Sequence, residues 1–191
     1  AAYAVYQDLL NDPALGRRAA ALRQIVYQRW AADLSPDADP ATFPPAARLG
    51  VADISRRRGV ASRAAGDETQ AIADLKRAVR AARALADDPA APPALVAAGR
   101  YQLAYANSVL QPSNLAVLLD AVTSATAVAR EHPDLPVATD AITLASALAE
   151  SLHRQYAARP GVAAAFEDAA AVLFDSGSFT TTPAADDRRL Y

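Results

Sequence analysis

The sequence predicts an all-α protein of about eight antiparallel helices, paired into four stacked helical hairpins. The hydrophobic fraction is 52% but the aromatic fraction only 6%, because the chain is very rich in alanine, the strongest helix former. Prolines and glycines interrupt the sequence at intervals of helical length. Between them, apolar residues recur three or four positions apart, and no alternating run of strand length is present.

Eight segments between these interruptions are predicted to be helices: 2–11, 14–33, 46–65, 67–87, 94–110, 114–131, 136–158 and 161–175. Taken in pairs, they form hairpins over about 1–34, 46–87, 94–131 and 136–175. We expect one helical-repeat domain over 1–175. An irregular C-terminal tail is expected over 176–191, where the helical periodicity is lost.

The first three helices are predicted from their apolar residues and their surroundings. The segment 2–11 opens the sequence without a capping residue. The second helix has an apolar stripe of Leu15, Leu22, Ile25, Val26 and Trp30. The third follows the proline-rich stretch 35–45 and ends before Gly66.

Start signals mark several of the later helices. Asp67 is suited to cap the fourth helix and Ser113 or Asn114 the sixth, and Pro136 fits the first turn of the seventh. The apolar stripe of the fourth helix is Ile72, Leu75, Val79 and Ala82, and that of the sixth is Leu115, Leu118, Leu119, Val122 and Ala125. The fifth helix follows "DDPAAPP" and the eighth follows "RPG".

A small residue followed by an apolar one recurs in every second helix. The pairs are Ala21-Leu22, Ala71-Ile72, Ala121-Val122 and Ala169-Ala170, and their first members are separated by 50, 50 and 48 positions, from 21 to 71, 71 to 121 and 121 to 169. One turn later stand Ile25, Leu75, Ala125 and Leu173. A period of this length is typical of helical hairpins stacked into a solenoid.

The stretch 59–78 resembles the tetratricopeptide repeat, in which small residues stand at fixed positions of a helix-turn-helix unit. The matching residues are Gly59, Gly66, Ala71 and Ala78. Departures from the pattern are the late Pro89 and the small or polar Ser55, Arg58 and Ser62 where the family has large residues. The resemblance extends loosely over 46–175. It implies packing roles for Ala71 and Ala78, and Lys76 and Arg77 are expected at the surface.

Several classes of function are disfavoured by composition. The chain has no cysteine, which excludes disulfides and zinc–thiolate sites. Its net charge of −2 argues against nucleic-acid binding, and no apolar run approaches the length of a membrane span. Two histidines, His132 at a helix end and His153 within a helix, make a metal or catalytic site improbable. We expect a cytoplasmic protein with no cofactor, and the missing initial methionine indicates a fragment or a processed form.

Arginines supply the first candidate binding site. Arg56 and Arg63 are seven positions apart and share one helix face. If the repeat alignment holds, both point into a groove lined by the first helices of the hairpins, where they would take an acidic segment or a carboxylate. The alternative is a solvated basic face, paired with Asp53, Asp67, Glu68 and Asp74.

A second candidate site lies one unit further along the chain. Tyr101, Tyr105 and Asn107 are expected to line the same concave face, and the alternative is that both tyrosines only pack helices together.

Together these observations predict a non-enzymatic module that binds another protein, or another part of its own chain, through a groove lined by helices. Arrays that resemble this one occur in multidomain bacterial proteins, beside NTPase signalling modules, transcriptional activators or caspase-like peptidases. The alternative is a helical sensor or regulatory domain that binds a small apolar ligand between helices. The sequence leaves the oligomeric state open.

Overall fold

The computed structural model describes residues 38–176, which contain six α-helices and no strand. A short 3₁₀ helix, Pro40–Thr42, comes first. The helices α1 to α6 span Pro45–Ala64, Glu68–Ala86, Pro93–Leu110, Leu115–Glu131, Pro136–Tyr156 and Val162–Asp175. The all-α class is therefore confirmed for this part of the chain. The predicted helices at 2–11 and 14–33, and the tail from residue 177 onward, lie outside the described residues.

The turn between α1 and α2 is built by Gly66 and Asp67. Gly66 adopts a φ of 83°, which favours glycine. Its N–H donates to the Arg63 carbonyl at 3.0 Å, and the Asp67 N–H donates to the Ser62 carbonyl at 2.9 Å, the paired bonds of a Schellman motif. Asp67 then starts α2, because its carboxylate accepts the Gln70 N–H at 3.0 Å. The predicted cap at Asp67 is confirmed.

The starts of α4 and α5 also follow local signals. The Asn114 side chain accepts the Val117 N–H at 3.3 Å, so that Asn114, one of the two predicted candidates, caps α4. Pro136 is the first residue of α5, as predicted, where its missing N–H costs no helical hydrogen bond.

Each helix packs against the next, and contacts also join α1 to α3, α3 to α5 and α4 to α6. The core is made largely of alanine with a few larger residues, among them Leu75, Leu85 and Ile142. The small residues singled out by their spacing within the described part of the chain, namely Ala71, Ala121 and Ala169, are all buried, as is Ala78. None of these six helices is both long and apolar enough to cross a lipid bilayer.

Two glycines bring α1 and α3 close to α2. A Cβ atom added at Gly59 of α1 would lie 2.6 Å from the Leu75 Cγ, and one added at Gly99 of α3 would lie 2.9 Å from the Leu85 Cγ. Both distances are shorter than carbon atoms tolerate, so these helix contacts depend on the absence of a side chain.

The prediction that both Lys76 and Arg77 lie at the surface is wrong for Arg77. Lys76 is exposed as expected, but Arg77 is only 7% exposed. Since α2 packs against both α1 and α3, its buried arc is wider than the single apolar stripe suggested. The covered part of Arg77 includes its Nε atom, which is buried, and not only its aliphatic stem.

Candidate functional site

Three of the predicted site residues meet between α1 and α3, in what we call the polar cluster: Asp53, Arg56, Tyr101, Gln102 and Tyr105. Arg56 Nη2 donates to Asp53 Oδ1 at 2.8 Å, and Arg56 Nε donates to Gln102 Oε1 at 2.8 Å. Gln102 Nε2 lies 3.5 Å from the same Asp53 oxygen. One carboxylate, one guanidinium and one amide therefore join the two helices.

Aromatic rings cover one side of this arrangement. The guanidinium carbon of Arg56 lies 4.3 Å from the centre of the Tyr105 ring, which is cation–π geometry. Tyr101 meets Tyr105 edge to face, with ring centres 6.1 Å apart and planes inclined by 62°. The two tyrosines are four positions apart, so α3 places them one turn from each other on one side.

Asp53 forms ion pairs with two arginines, because Arg56 and Arg57 follow it by three and four positions on α1. The Arg57 Nε lies 3.1 Å from Asp53 Oδ1, to which it donates, and 3.0 Å from Oδ2. The Oδ2 atom is buried and accepts no hydrogen bond within the described residues, so its contact with Arg57 is electrostatic only.

The burial of Arg56 and its partner Asp53 limits how Arg56 can contact solvent or a ligand. Both Arg56 and Asp53 are 9% exposed, whereas the Arg57 side chain is 61% exposed. The alternative sequence interpretation paired the basic residues with nearby acids on a solvated face. Arg56 does pair with Asp53, but α3 covers these two residues, so that they are not solvated, whereas Arg57 and Arg58 are exposed. Nor does Arg56 extend freely into a groove, since Asp53, Gln102 and Tyr105 hold it in place.

Arg63 ties together the ends of three helices. Its Nε and Nη2 donate to the Glu68 carboxylate at 3.1 and 2.6 Å, and its Nη1 donates to the Val109 carbonyl in the last turn of α3. The hydrogen bond from Arg63 lowers the pKa of the Glu68 carboxyl, and Glu68 raises the pKa of Arg63 in return. Arg63 shares a face with Arg56, as predicted, and both arginines contact α3.

Tyr101 and Tyr105 are both partly buried. Burial raises the pKa of Tyr101 to about 12; the negative charge of Asp140 on α5 adds to this rise, and the positive charge of Arg56 opposes it. Asn107 follows Tyr105 by two positions, which turns it about 200° around the helix. It therefore does not share their face, and the predicted trio reduces to a pair.

Sequence reasoning missed Gln102 as a site residue. Asp53 was named only as a possible counter-charge, although its spacing from Arg56 already matches a helical ion pair. Gln102 carries no such signal, because its partner Arg56 lies 46 positions earlier in the chain.

Other polar groups lie outside the polar cluster. An open depression of about 420 Å³ lies beside the connection between α2 and α3, and its polar lining is formed by Asp87, Asp88, Arg100, Glu131 and His132. His132 is the C-terminal cap of α4, and His153 stacks on Phe166 with ring centres 4.7 Å apart. Between residues 38 and 176, no three histidine or acidic side chains are grouped to hold a metal ion.

Comparison with known proteins gives no match to this chain among protein-family models, curated proteins or solved structures.

Proposed function

We propose that the chain is a non-enzymatic helical-repeat module that mediates protein–protein or intramolecular regulatory interactions through the face of α1, α3 and α5. The observation that carries this proposal is the succession of contacts from α1 to α3 and from α3 to α5. These are the first helices of three predicted hairpins. Side by side, they would form the extended surface by which stacked hairpins bind partners.

A tetratricopeptide-like stack is supported by the residues at its contacts. Gly59 lies where α1 approaches α2, and Gly66 closes α1 with a positive φ. Ala71, Ala121 and Ala169 are buried at equivalent points of the second helices. Gly59 has no room for a side chain, Gly66 needs a positive φ, and the alanines are buried, which is how the repeat pattern would act physically.

Preorganisation favours binding at this face. The side chains of Arg56, Asp53 and Gln102 are held by short hydrogen bonds, and Tyr105 is held against Arg56. Fixed side chains lose little conformational entropy when a partner docks. Tyrosine and arginine are also the residue types that dominate binding energy at interfaces.

The test is affinity capture from an extract of the source cells, with bound proteins identified by mass spectrometry. Arg56 and Arg63 both hold helices together, so replacing either of them would disturb the fold as well as the binding face. Tyr105→Ser is therefore the variant that tests the face of α1, α3 and α5. Lys76→Glu, on the exposed face of α2, is the matched surface control. We expect a set of proteins that the wild type and Lys76→Glu retain and Tyr105→Ser loses.

The same comparison is then made with the purified partner, after circular dichroism has shown that each variant keeps its helix content. Equal retention by the wild type and Tyr105→Ser would show that this face does not bind, and no enrichment by the wild type would contradict the interaction function itself.

A further inference from the structure

We propose that the C-terminal segment 177–191 docks along the outer face of α6 and covers it. The outer face consists of five exposed residues of this helix, namely Ala163, Ala164, Glu167, Ala171 and Phe174. It is separate from the face of α1, α3 and α5, so the inference goes beyond the proposed function and does not depend on it. The apolar character of the outer face, the charges around it and the length of the segment carry the inference.

The outer face of α6 is apolar although it is exposed. Its members recur at three, four and seven positions, which places them on one side of the helix. Glu167 is the one charged residue among them. Phe174 is 60% exposed, more than any other large apolar side chain between residues 38 and 176. The exposed side of α2, by contrast, carries Lys76, Arg80 and Arg83. An exposed apolar surface of this kind is typical of a contact with another element.

Charged residues without ion-pair partners lie on and beside the outer face. Helix α6 has three acidic residues and no basic one. Asp168 pairs with Arg130 of α4, whereas Glu167 and Asp175 make no ion pair within residues 38–176. Arg159, which precedes α6, is exposed and likewise has no acidic partner among the described residues.

The segment 177–191 contains the complementary groups. It has three large apolar residues and four charged ones, which are Phe179, Leu190, Tyr191, Asp186, Asp187, Arg188 and Arg189. The two arginines are suited to pair with Glu167, and the two aspartates with Arg159. Exposed ion pairs contribute little energy each, so the apolar residues supply most of the binding and the charges set the register.

The length of the segment allows this placement. Helix α6 has 14 residues and is therefore about 21 Å long. An extended chain advances about 3.3 Å per residue, so that about seven residues return from the end of α6 to its first turn. Residues 177–185 provide this length and the turn that reverses the chain. Phe179 then lies beside Phe174, and the charged run 186–189 lies at the end that carries Arg159.

Disulfide trapping tests the contact in the full chain, which has no cysteine of its own. Ala164→Cys on the outer face is combined with Ala185→Cys in the segment. The control combines Ala185→Cys with Ala147→Cys, at an exposed position of the neighbouring helix α5. Circular dichroism first shows that each variant keeps its helix content, and mass spectrometry then follows disulfide formation in a glutathione buffer. We expect trapping within one chain to be at least about tenfold faster at 164 than at 147, because docking raises the effective concentration of the two thiols.

A charge exchange and a side-chain truncation test the chemistry of the contact. Arg188→Glu/Arg189→Glu should slow trapping at 164 several-fold, and adding Glu167→Arg should restore most of the rate. Phe179→Ser should also slow trapping, because it removes an apolar anchor. Each rate is divided by that of the 147 pair in the same background, which removes the effect of the new charges on thiol reactivity.

Two results would overturn the inference: equal trapping at 164 and 147, or a ratio that neither Phe179→Ser nor the charge exchange changes. Disulfides that form between two chains and not within one would show that a second copy covers the outer face, and they would overturn it as well. The proposed function is tested separately at Tyr105, so a failure of either proposal leaves the other standing.

Discussion

Replacing Gly59 with alanine places a methyl group against Leu75, where α1 meets α2. In an unhindered helix interior the substitution stabilises a protein by about 0.5–1 kcal/mol, because glycine loses more backbone entropy on folding. At Gly59 the added Cβ would lie 2.6 Å from the Leu75 Cγ, 3.0 Å from its Cδ2 and 3.1 Å from the Ala71 carbonyl oxygen. Leu75 is fully buried, and the Ala71 carbonyl belongs to the backbone of α2, so that neither neighbour is a mobile surface group.

The steric term should outweigh the helix propensity. Overpacking a well-filled core costs about 1–3 kcal/mol, so the net change is a loss of about 1–2 kcal/mol. For a chain of this size, such a loss lowers the Tm by about 2–8 °C. The measurement is urea unfolding followed by circular dichroism, with the m value checked for constancy.

A double-mutant cycle tests the cause. Leu75→Ala removes the two closest atoms at a cost of about 2–5 kcal/mol, and in that background Gly59→Ala should stabilise by about 0.5 kcal/mol. Ala61→Gly, at an exposed position of the same helix, calibrates the propensity and should cost about 1 kcal/mol. Stabilisation by Gly59→Ala in the wild-type background, or the same effect in both backgrounds, would refute the reasoning.

Three further predictions concern the polar cluster and a helix cap. Arg56→Met leaves Asp53 buried with only Arg57 as a charged partner and should lower the free energy of unfolding, measured in urea, by about 3 kcal/mol. The double variant Arg56→Met/Asp53→Leu should recover most of this loss, and equal losses in the single and double variants would contradict this account. Tyr101 should ionise near pH 12, so that its phenolate absorbance, taken as the difference between the wild type and Tyr101→Phe, is missing at pH 10. Because its folded pKa is raised, its contribution to stability is complete below pH 10 and is lost as the pH rises towards 12; a difference spectrum centred on the ordinary pKa would disprove this. Asp67→Ala should cost about 1 kcal/mol through loss of the bond to the Gln70 N–H, and Asp67→Asn should retain most of that energy.

The helix bounds could be predicted from the sequence because they depend on local chemistry. Gly66, Asp67, Asn114 and Pro136 act on backbone groups within a few positions, and each does so in the structure. The burial of the small residues was predictable for a related reason: a period of about 50 positions assigns equivalent places to residues such as Ala71 and Ala121.

The candidate site was predictable only in part. The spacing of Tyr101 and Tyr105 fixes their common face, but nothing local indicates that Arg56, 46 positions before Gln102, bonds to it. Which faces meet depends on how α1 and α3 pack, and that packing also decides that Arg56 is covered and not solvated. Arg77 was wrongly predicted at the surface for the same reason, since the apolar pattern of α2 does not reveal that this helix has neighbours on two sides.

The central position of α3 explains why structural and candidate binding residues alternate along it. This helix contacts α1, α2, α4 and α5, so most of its surface is covered: Gly99 faces α2 and Gln102 faces α1. Tyr105 lies beside Gln102 and over Arg56, at the border between covered and accessible surface. A side chain at such a border is held by the core while part of it can meet a partner. A binding surface of this kind gains rigidity from the packing of its own fold, and a substitution at Tyr105 must therefore be judged by stability and by binding together.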